Sequence, residues 1–324
     1  MTSPFPYFGG KRRAAHLVWE RFGVVRNYVE PFAGSLAVLL SVPYDRGRVE
    51  TANDSNGYLC NFWRAVQADP DGVASWADWP VSELDLHARH RWLVVGPGAE
   101  EFREAMRSDP DHYDVKRAGW WVWGACSWIG GGWCQWHHKR QLPHLHPFGV
   151  GLNRKLPHAG DAGMGLKRQL PYLSRPNRRE YIQHTMQELS GRLRHVRVAC
   201  GDWSRVTGQS VTVRNGLTGV LLDPPYGAEG QDATVYGIPT EGIAVAVREW
   251  ALSNGDNPLL RIALCGYEDE HAPHMPETWE CVAWKAAGGY GKQRVDGSNK
   301  NGHRERIWFS PACLRPGDGL LEGI

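Results

Sequence analysis

Hydrophobic and polar positions along the chain follow two periods, and together they predict alternating helices and strands. Helix-like spacing is found over residues 11–22, 36–42, 57–67, 180–193 and 240–252, and more weakly over 75–115. Strand-like runs are found over residues 24–30, 48–54, 196–200, 219–223, 259–264, 279–284 and 306–309. Strands that alternate with helices predict an α/β fold in which helices cover both faces of the sheet.

The middle of the chain has a different character, because it is rich in Trp, Gly and Pro and contains a short repeat. RQLPHL begins at Arg140, RKLPHA at Arg154 and RQLPYL at Arg168, at a spacing of fourteen residues. Fourteen residues are too few for a stacking solenoid unit, and the proline in every copy opposes a helix. We therefore expect residues 76–179 to form an inserted, loop-rich region, and residues 1–75 and 180–324 to form one domain.

The charge of the chain is concentrated in this middle region. Residues 116–179 contain eleven Lys or Arg and one acidic residue, a net charge of +10, which leaves −8 for the rest of a chain whose total is +2. A one-sided basic block is typical of a surface that binds the phosphates of nucleic acid. The candidate DNA-binding residues are Arg140, Arg154, Lys155, Lys167, Arg168 and Arg178.

Composition excludes several classes of protein. With 324 residues and 42% hydrophobic content, the chain can bury a full core. It has neither an apolar stretch of eighteen residues nor the layout of a signal peptide, so we expect a cytoplasmic protein that binds no membrane. Its seven cysteines have no regular spacing, which favours reduced thiols. Cys126, Cys134, His137 and His138 lack the spacing of a zinc site, so we predict no metal.

Two acidic residues stand where predicted strands end, which is where open α/β sheets bind their ligands. Glu30 begins the turn Glu30-Pro31-Phe32-Ala33-Gly34-Ser35, in which a tight glycine turn lies beside an acid. Asp54 ends the next strand, where a carboxylate accepts hydrogen bonds from ribose hydroxyls in nucleotide-binding folds. An ordinary turn and an ordinary helix cap are the structural alternatives at these two positions.

Asp223-Pro224-Pro225-Tyr226, directly after an apolar strand, is the most specific signal in the chain. An aromatic amine is a poor nucleophile because its lone pair is delocalised into the ring. A carboxylate and a backbone carbonyl that both accept hydrogen bonds from the amine localise this lone pair and align it with a methyl donor. Two prolines hold such a loop rigid, and Tyr226 offers a face on which a base can stack.

In the order of its motifs the sequence resembles the Dam-type, alpha-class DNA adenine-N6 methyltransferases. The resemblance extends from Pro6 to about Ser310. Its segments are Pro6-Tyr7-Phe8-Gly9-Gly10-Lys11, Val29 to Ser35, Asn53-Asp54-Ser55-Asn56, Asp202-Trp203 and Asp223 to Tyr226. One departure is Leu36, where the family usually has a second glycine, so this side chain must turn away from the ligand.

The resemblance implies a Rossmann-like fold with an inserted target-recognition region, and S-adenosylmethionine as the cofactor. It places Tyr7, Lys11, Glu30, Pro31, Phe32, Gly34, Asp54, Asp202 and Trp203 around the cofactor, and Asp223, Pro224, Pro225 and Tyr226 at the reacting amine. The implied partner is double-stranded DNA from which an adenine is flipped, with no obligatory protein partner. Methylation of protein glutamine or of cytosine N4, and an inactive DNA-binding relative, are the alternatives.

Overall fold

The computed structural model describes residues 1–7, 11–43, 47–109, 111–128, 133–134, 177–225, 234–235, 238–239, 242–284 and 304–316. The chain divides into two compact units. The sheet unit comprises residues 1–2, 7–55 and 195–324, and the helical unit comprises residues 3–6 and 56–194. Within the described residues, no helix has the length and apolar character that a membrane span requires.

Most of the predicted elements are present in the described residues, whereas the two short strands Thr234–Val235 and Ile238–Pro239 and the short helix Glu268–His271 were not predicted. The α-helices are α1 (Ala15–Phe22), α2 (Gly57–Ala68), α3 (Pro70–Ala77), α4 (Glu83–Val95), α5 (Ala99–Ser108), α6 (Val115–Ser127), α7 (Arg178–Leu193), α8 (Ile243–Asn254) and α9 (Glu268–His271). The strands are β1 (Asn27–Glu30), β2 (Val49–Asp54), β3 (Val196–Cys200), β4 (Thr218–Leu222), β5 (Thr234–Val235), β6 (Ile238–Pro239), β7 (Leu260–Tyr267), β8 (Glu280–Ala283) and β9 (Glu305–Phe309).

The sheet unit is built on a seven-stranded sheet with the order β3-β2-β1-β4-β7-β9-β8. The first five strands of this order are parallel, whereas β9 runs antiparallel to both β7 and β8. Strands β5 and β6 form a separate antiparallel pair. This arrangement is the predicted α/β class, a Rossmann-like sheet with an antiparallel strand near one edge.

Helices pack on both faces of this sheet, as predicted, and the residues of β4 show why. All five residues of β4 are buried, as a central parallel strand requires. Val220 and Leu222 point to the face covered by α8, where they join a core cluster with Val247. Side chains alternate between faces, so Gly219 points the opposite way, where a Cβ would lie 2.7 Å from the ring of Phe22 in α1.

The helical unit is held by capped helices around an aromatic core. Helices α2, α3, α4 and α6 each begin at a side chain that accepts a hydrogen bond from the first helical turn, namely Asn56, Asp69, Ser82 and Asp114. Phe5 packs against Phe62, Trp63 and Trp121 at centroid distances of 5.5, 5.5 and 5.0 Å. Helix α7 buries Ile182, Met186, Leu189 and Leu193, the apolar face that its sequence predicts.

The predicted helix over 36–42 is wrong. Only a single 3-10 turn forms there, at Leu39–Ser41. Leu36 has φ of 53°, in the left-handed region that an α-helix does not tolerate, and Val42 is extended before Pro43. The weak pattern over 75–115 corresponds to the end of α3, all of α4 and α5, and the start of α6. The fourteen-residue repeat at 140–173 lies outside the described residues.

Candidate active site

The carboxyl ends of β1 and β4 lie side by side at the point where the strand order reverses. β2 flanks β1 on one side and β4 flanks it on the other, with Val29 in register with Thr51 and Val220. In open α/β sheets this reversal leaves a crevice in which ligands bind. The turn 31–35 follows β1 and Asp223 follows β4, so the sheet brings both segments to one edge.

A buried ion pair joins Asp223 to the N-terminal motif. Lys11 Nζ lies 2.9 Å from Asp223 Oδ1, and the lysine side chain is only 3% exposed whereas the aspartate is 21% exposed. Burial acts to lower the pKa of Lys11, but the negative charges around it, that of Asp223 foremost, outweigh burial and raise the pKa overall. The lysine is therefore a fixed cation that holds one carboxylate oxygen of Asp223.

Glu305 completes the charge cluster around Lys11, and the sequence analysis missed it. Its Oε2 atom lies 3.9 Å from Lys11 Nζ. Lys11 Nζ also lies over the ring of Trp284, 5.3 Å from the ring centroid. Burial raises the pKa of Glu305, partly offset by Lys11. No motif marks this residue, because it is the first residue of β9 and reaches the site only through the antiparallel pairing with β7.

The turn after β1 is fixed by the carboxylate that ends β2. The backbone N–H of Gly34 donates to Asp54 Oδ2 at 3.0 Å, and Asp54 is 8% exposed. Gly34 has φ of 46°, and a Cβ there would lie 2.7 Å from the ring of Tyr7. Glycine is therefore required twice, by the backbone conformation and by the close approach of the tyrosine. Tyr7, Gly34 and Asp54 thus form one connected group.

Asn53, a second residue that the sequence analysis missed, ties together the loops that follow β1 and β3. Its Nδ2 atom donates to the carbonyl oxygens of Pro31 and Gly201, each at 3.0 Å. The backbone N–H of Ala33 in turn donates to the carbonyl of Asn53 at 2.8 Å. A polar residue next to Asp54 in a buried strand was the available signal, since buried amides need partners.

An aromatic pair lies at the ends of β1 and β3. The rings of Phe32 and Trp203 are stacked, with centroids 6.1 Å apart and an angle of 27° between their planes. Asp202 Oδ1 accepts from the N–H of Ser204 at 2.9 Å and so caps the 3-10 turn Trp203–Val206. The predicted acid-aromatic pair is therefore next to Phe32, with an acid that is accessible at the sheet edge.

Glu30 is the most enclosed of the acids at this edge. It is 2% exposed, and its Oε1 accepts from the Tyr28 hydroxyl at 2.6 Å and from the Leu39 N–H at 2.9 Å. Burial raises the pKa of Glu30 to about 8, although both hydrogen bonds act in the opposite direction. One of its oxygens thus supports the backbone of the segment that follows the turn.

Leu36, the departure from the family pattern, adopts the conformation for which glycine is usual. Its φ is 53°, and its side chain is completely buried in the core. Its N–H donates to the carbonyl of Ala33 at 2.8 Å, which closes the turn. The side chain therefore turns into the core, at the cost of a strained backbone.

The remaining predicted residues divide between the helical unit and segments outside the described residues. Arg178, the first residue of α7, pairs with Asp78 at 3.1 Å and donates to the carbonyl of Trp79 at 2.5 Å. Tyr226 lies outside the described residues, and so do Arg140, Arg154, Lys155, Lys167 and Arg168. Among the described residues, no group of His, Cys, Asp or Glu has the geometry to hold a metal ion.

Comparison with known proteins agrees with this geometry. Residues 7–89 match the family model described as D12 class N6 adenine-specific DNA methyltransferase. The matched segment includes Tyr7, Lys11, the turn 31–35 and Asp54. It ends before Asp223, so the family match does not extend to the loop after β4. No curated protein matches the chain. The match covers residues 7–89 of 324, and over this segment the chain is similar to the D12 class of N6 adenine-specific DNA methyltransferases.

Proposed function

We propose that this methyltransferase transfers a methyl group from S-adenosylmethionine to N6 of an adenine in double-stranded DNA, and that the adenine is extruded from the duplex. The observation that carries the proposal is the ion pair between buried Lys11 and Asp223 at the end of β4. It joins the motif at the N-terminus to the loop Asp223-Pro224-Pro225-Tyr226. The target amine of adenine is inaccessible inside a stacked duplex, so the base must leave the stack to reach this loop.

The residues of the loop prepare the amine for attack. The Asp223 carboxylate and the Pro224 carbonyl accept hydrogen bonds from the two N–H groups of the amine, which localises the nitrogen lone pair. Lys11 holds Asp223 in one orientation through the ion pair. The surplus proton of the methylated amine leaves along its hydrogen bond to Asp223. Tyr226 provides the ring against which the adenine stacks.

The strand ends also fit a nucleoside-bearing methyl donor. Asp54 and Asp202 follow adjacent strands, and the stacked rings of Phe32 and Trp203 offer an aromatic surface beside them. We assign these four residues, with Tyr7, Lys11, Glu30, Pro31 and Gly34, to the cofactor side of the site. The cofactor supplies a methyl group on a positively charged sulfur, so transfer depends mainly on alignment and exclusion of water.

We assign target recognition to residues 76–179. Their excess of Lys and Arg supports contact with DNA phosphates, which gives affinity without reading sequence. Five of the candidate residues lie within the repeat, namely Arg140, Arg154, Lys155, Lys167 and Arg168. The sixth, Arg178, begins α7. Phosphate is the expected contact for most of them.

A tritium-transfer assay tests the reaction. Purified protein is incubated with labelled S-adenosylmethionine and unmethylated duplex DNA, and the DNA is then digested to nucleosides. We expect label in N6-methyladenine. Label in N4-methylcytosine, or in glutamine of an added protein, would replace the proposed substrate. DNA binding without any transfer would identify an inactive relative.

A further inference from the structure

The helical unit contains a pocket that the methyl-transfer reaction does not use. It has a volume of about 500 Å³, within the range of ~300–1,000 Å³ that is usual for ligand sites. It lies between α3, α4 and α6, and its principal lining residues are Trp76, Trp79, Asp85, Arg89, Trp92 and Trp120. We call it the tryptophan pocket.

Two of these tryptophans present their rings to solvent. Trp76 is 42% exposed and Trp79 is 48% exposed, although large aromatic side chains stabilise a fold best when buried. The ring of Trp79 is held in place, because its Nε1 donates to Asp85 Oδ2 at 2.8 Å. The pocket thus offers oriented aromatic faces on which a flat ring can stack.

Arg89 gives the pocket an unsatisfied donor. It is 8% exposed, and its guanidinium carbon lies 5.3, 4.9 and 4.3 Å from the ring centroids of Trp79, Trp120 and Trp123. Burial lowers its pKa. Within the described part of the chain its Nη1 atom has no hydrogen-bond partner. A buried guanidinium of this kind favours a ligand that brings an acceptor.

Charge excludes a cationic ligand. Lys116 already lies over the rings of Trp76, Trp92 and Trp120, with Nζ 5.2, 4.7 and 4.5 Å from their centroids. Arg89 and Lys116 therefore occupy the cation positions that an aromatic cage would offer, and a further cation would be repelled. A neutral, flat ring with acceptor atoms, joined to a phosphate near Lys116, fits both the rings and the charges.

We propose that the tryptophan pocket binds one unpaired nucleobase of DNA, stacked on the exposed tryptophans with a ring acceptor directed at Arg89 Nη1. Stacking on aromatic side chains is how proteins hold single bases, and guanine offers the acceptor pair O6 and N7 that suits a guanidinium. The choice of DNA rests on the proposed function, but the pocket is a separate site that binds a base without modifying it.

The test compares two fluorescent duplexes that differ by one base. One has a single bulged guanine, and the other has an abasic residue at the same position, so their phosphate charges are equal. Affinities are measured by fluorescence anisotropy at about 0.15 M salt, because phosphate contacts are strongly salt-dependent. We expect the wild type to prefer the bulged guanine about tenfold.

Variants then locate this preference. Trp76→Ala and Trp79→Ala should each reduce it to about twofold or less and leave the affinity for the abasic duplex unchanged. Arg89→Lys, which keeps the charge but loses the planar fork, should also reduce it. Tyr113→Ala is the matched control, because Tyr113 is 42% exposed in the same unit and does not line the pocket. Circular dichroism checks that each variant is folded.

Three results would overturn the proposal. They are equal affinity of the wild type for both duplexes, equal loss of affinity for both in the tryptophan variants, and a change of oligomeric state in those variants with the base preference intact. The last would identify a surface for a second copy of the chain. Methyl transfer to a fully paired duplex is measured in parallel, so base preference without transfer would reject only the proposed function.

Discussion

Both compact units bury a cation, but they stabilise it by different means. In the sheet unit Lys11 is 3% exposed and lies 2.9 Å from the carboxylate of Asp223. In the helical unit Arg89 is 8% exposed and lies against the rings of three tryptophans. The pKa of Lys11 is raised because carboxylates outweigh its burial, whereas burial lowers the pKa of Arg89. Opposite charges hold the Lys11 ammonium in place, whereas the rings around Arg89 leave its Nη1 without a hydrogen-bond acceptor among the described residues.

The largest expected effect follows from removing the charge that Lys11 holds. Asp223→Asn keeps the shape of the side chain but weakens the acceptor for the target amine, and the rate of methyl transfer should fall about 10³-fold. Glu280→Gln is the matched control, since Glu280 is also 21% exposed and also lies 2.9 Å from a buried cation, Arg21. Single-turnover tritium transfer measures both variants. A comparable loss in Glu280→Gln would mean that ion pairs in the sheet unit act only through stability.

Replacing each buried cation by methionine compares the two sites directly. Lys11→Met leaves the carboxylates of Asp223 and Glu305 without their cation, and the free energy of unfolding should fall by about 3 kcal/mol or more. Arg89→Met loses contacts with rings but fills similar space and leaves no ion pair broken, so the change should stay within about 1 kcal/mol. Urea denaturation followed by circular dichroism measures both.

An equal fall in the free energy of unfolding in Lys11→Met and Arg89→Met would contradict the prediction that the ion pair at Lys11 contributes more to stability than the ring contacts at Arg89. A loss confined to Arg89→Met would show that the tryptophans depend on the guanidinium for their packing. Lys11→Arg serves as a control for charge, since it keeps the cation but not the compact ammonium.

How much of this the sequence could predict differs between the two units. In the sheet unit the buried strand at 218–222 and the motif around Asp223 are local patterns, and both were predictable. Helix α7 was predictable for the same reason, from its apolar face. The pairing of Lys11 with Asp223 was not, because more than two hundred residues separate them and only the sheet order brings them together.

In the helical unit the local signals were weaker. Residues 75–115 have no clear helical period, because Trp76 in α3 and Trp92 in α4 lie on faces that are not fully buried, where an apolar residue is not expected. The tryptophan pocket depends on residues from α3, α4 and α6 that no spacing relates. Leu36 was noticed only as a missing glycine. Its positive φ, which also explains the absent helix over 36–42, follows from how the turn closes on Ala33.

A third buried titratable group, Glu30, extends the comparison to pH. The pKa of Glu30 is raised by burial to about 8, above the ordinary value of 4.5. Between these two pH values the folded protein keeps a proton that the unfolded chain has lost, so stability should fall as pH rises from about 5 to 8. The contribution is at most about 1.4 kcal/mol per pH unit. Urea midpoints across this range measure the slope.

Glu30→Gln should flatten this slope, because the amide cannot ionise. The exposed residue Glu249 in α8 provides the control, and Glu249→Gln should leave the slope unchanged. A slope in Glu30→Gln equal to that of the wild type would mean that other groups account for the pH dependence.

The smallest expected effect concerns backbone strain at two left-handed positions, one in each unit. Gly98, which precedes α5 in the helical unit, has φ of 74°, whereas Leu36 in the sheet unit has φ of 53°. Leu36→Ala and Leu36→Gly remove nearly the same buried volume, but only glycine also relieves the strain. Leu36→Gly should therefore be the more stable of the two by about 1 kcal/mol, the reverse of the usual order. Gly98→Ala should destabilise the protein by about 1 kcal/mol for the same reason. Thermal unfolding of the three variants measures these differences, and an alanine more stable than glycine at position 36 would show that the turn relaxes once the leucine side chain is gone.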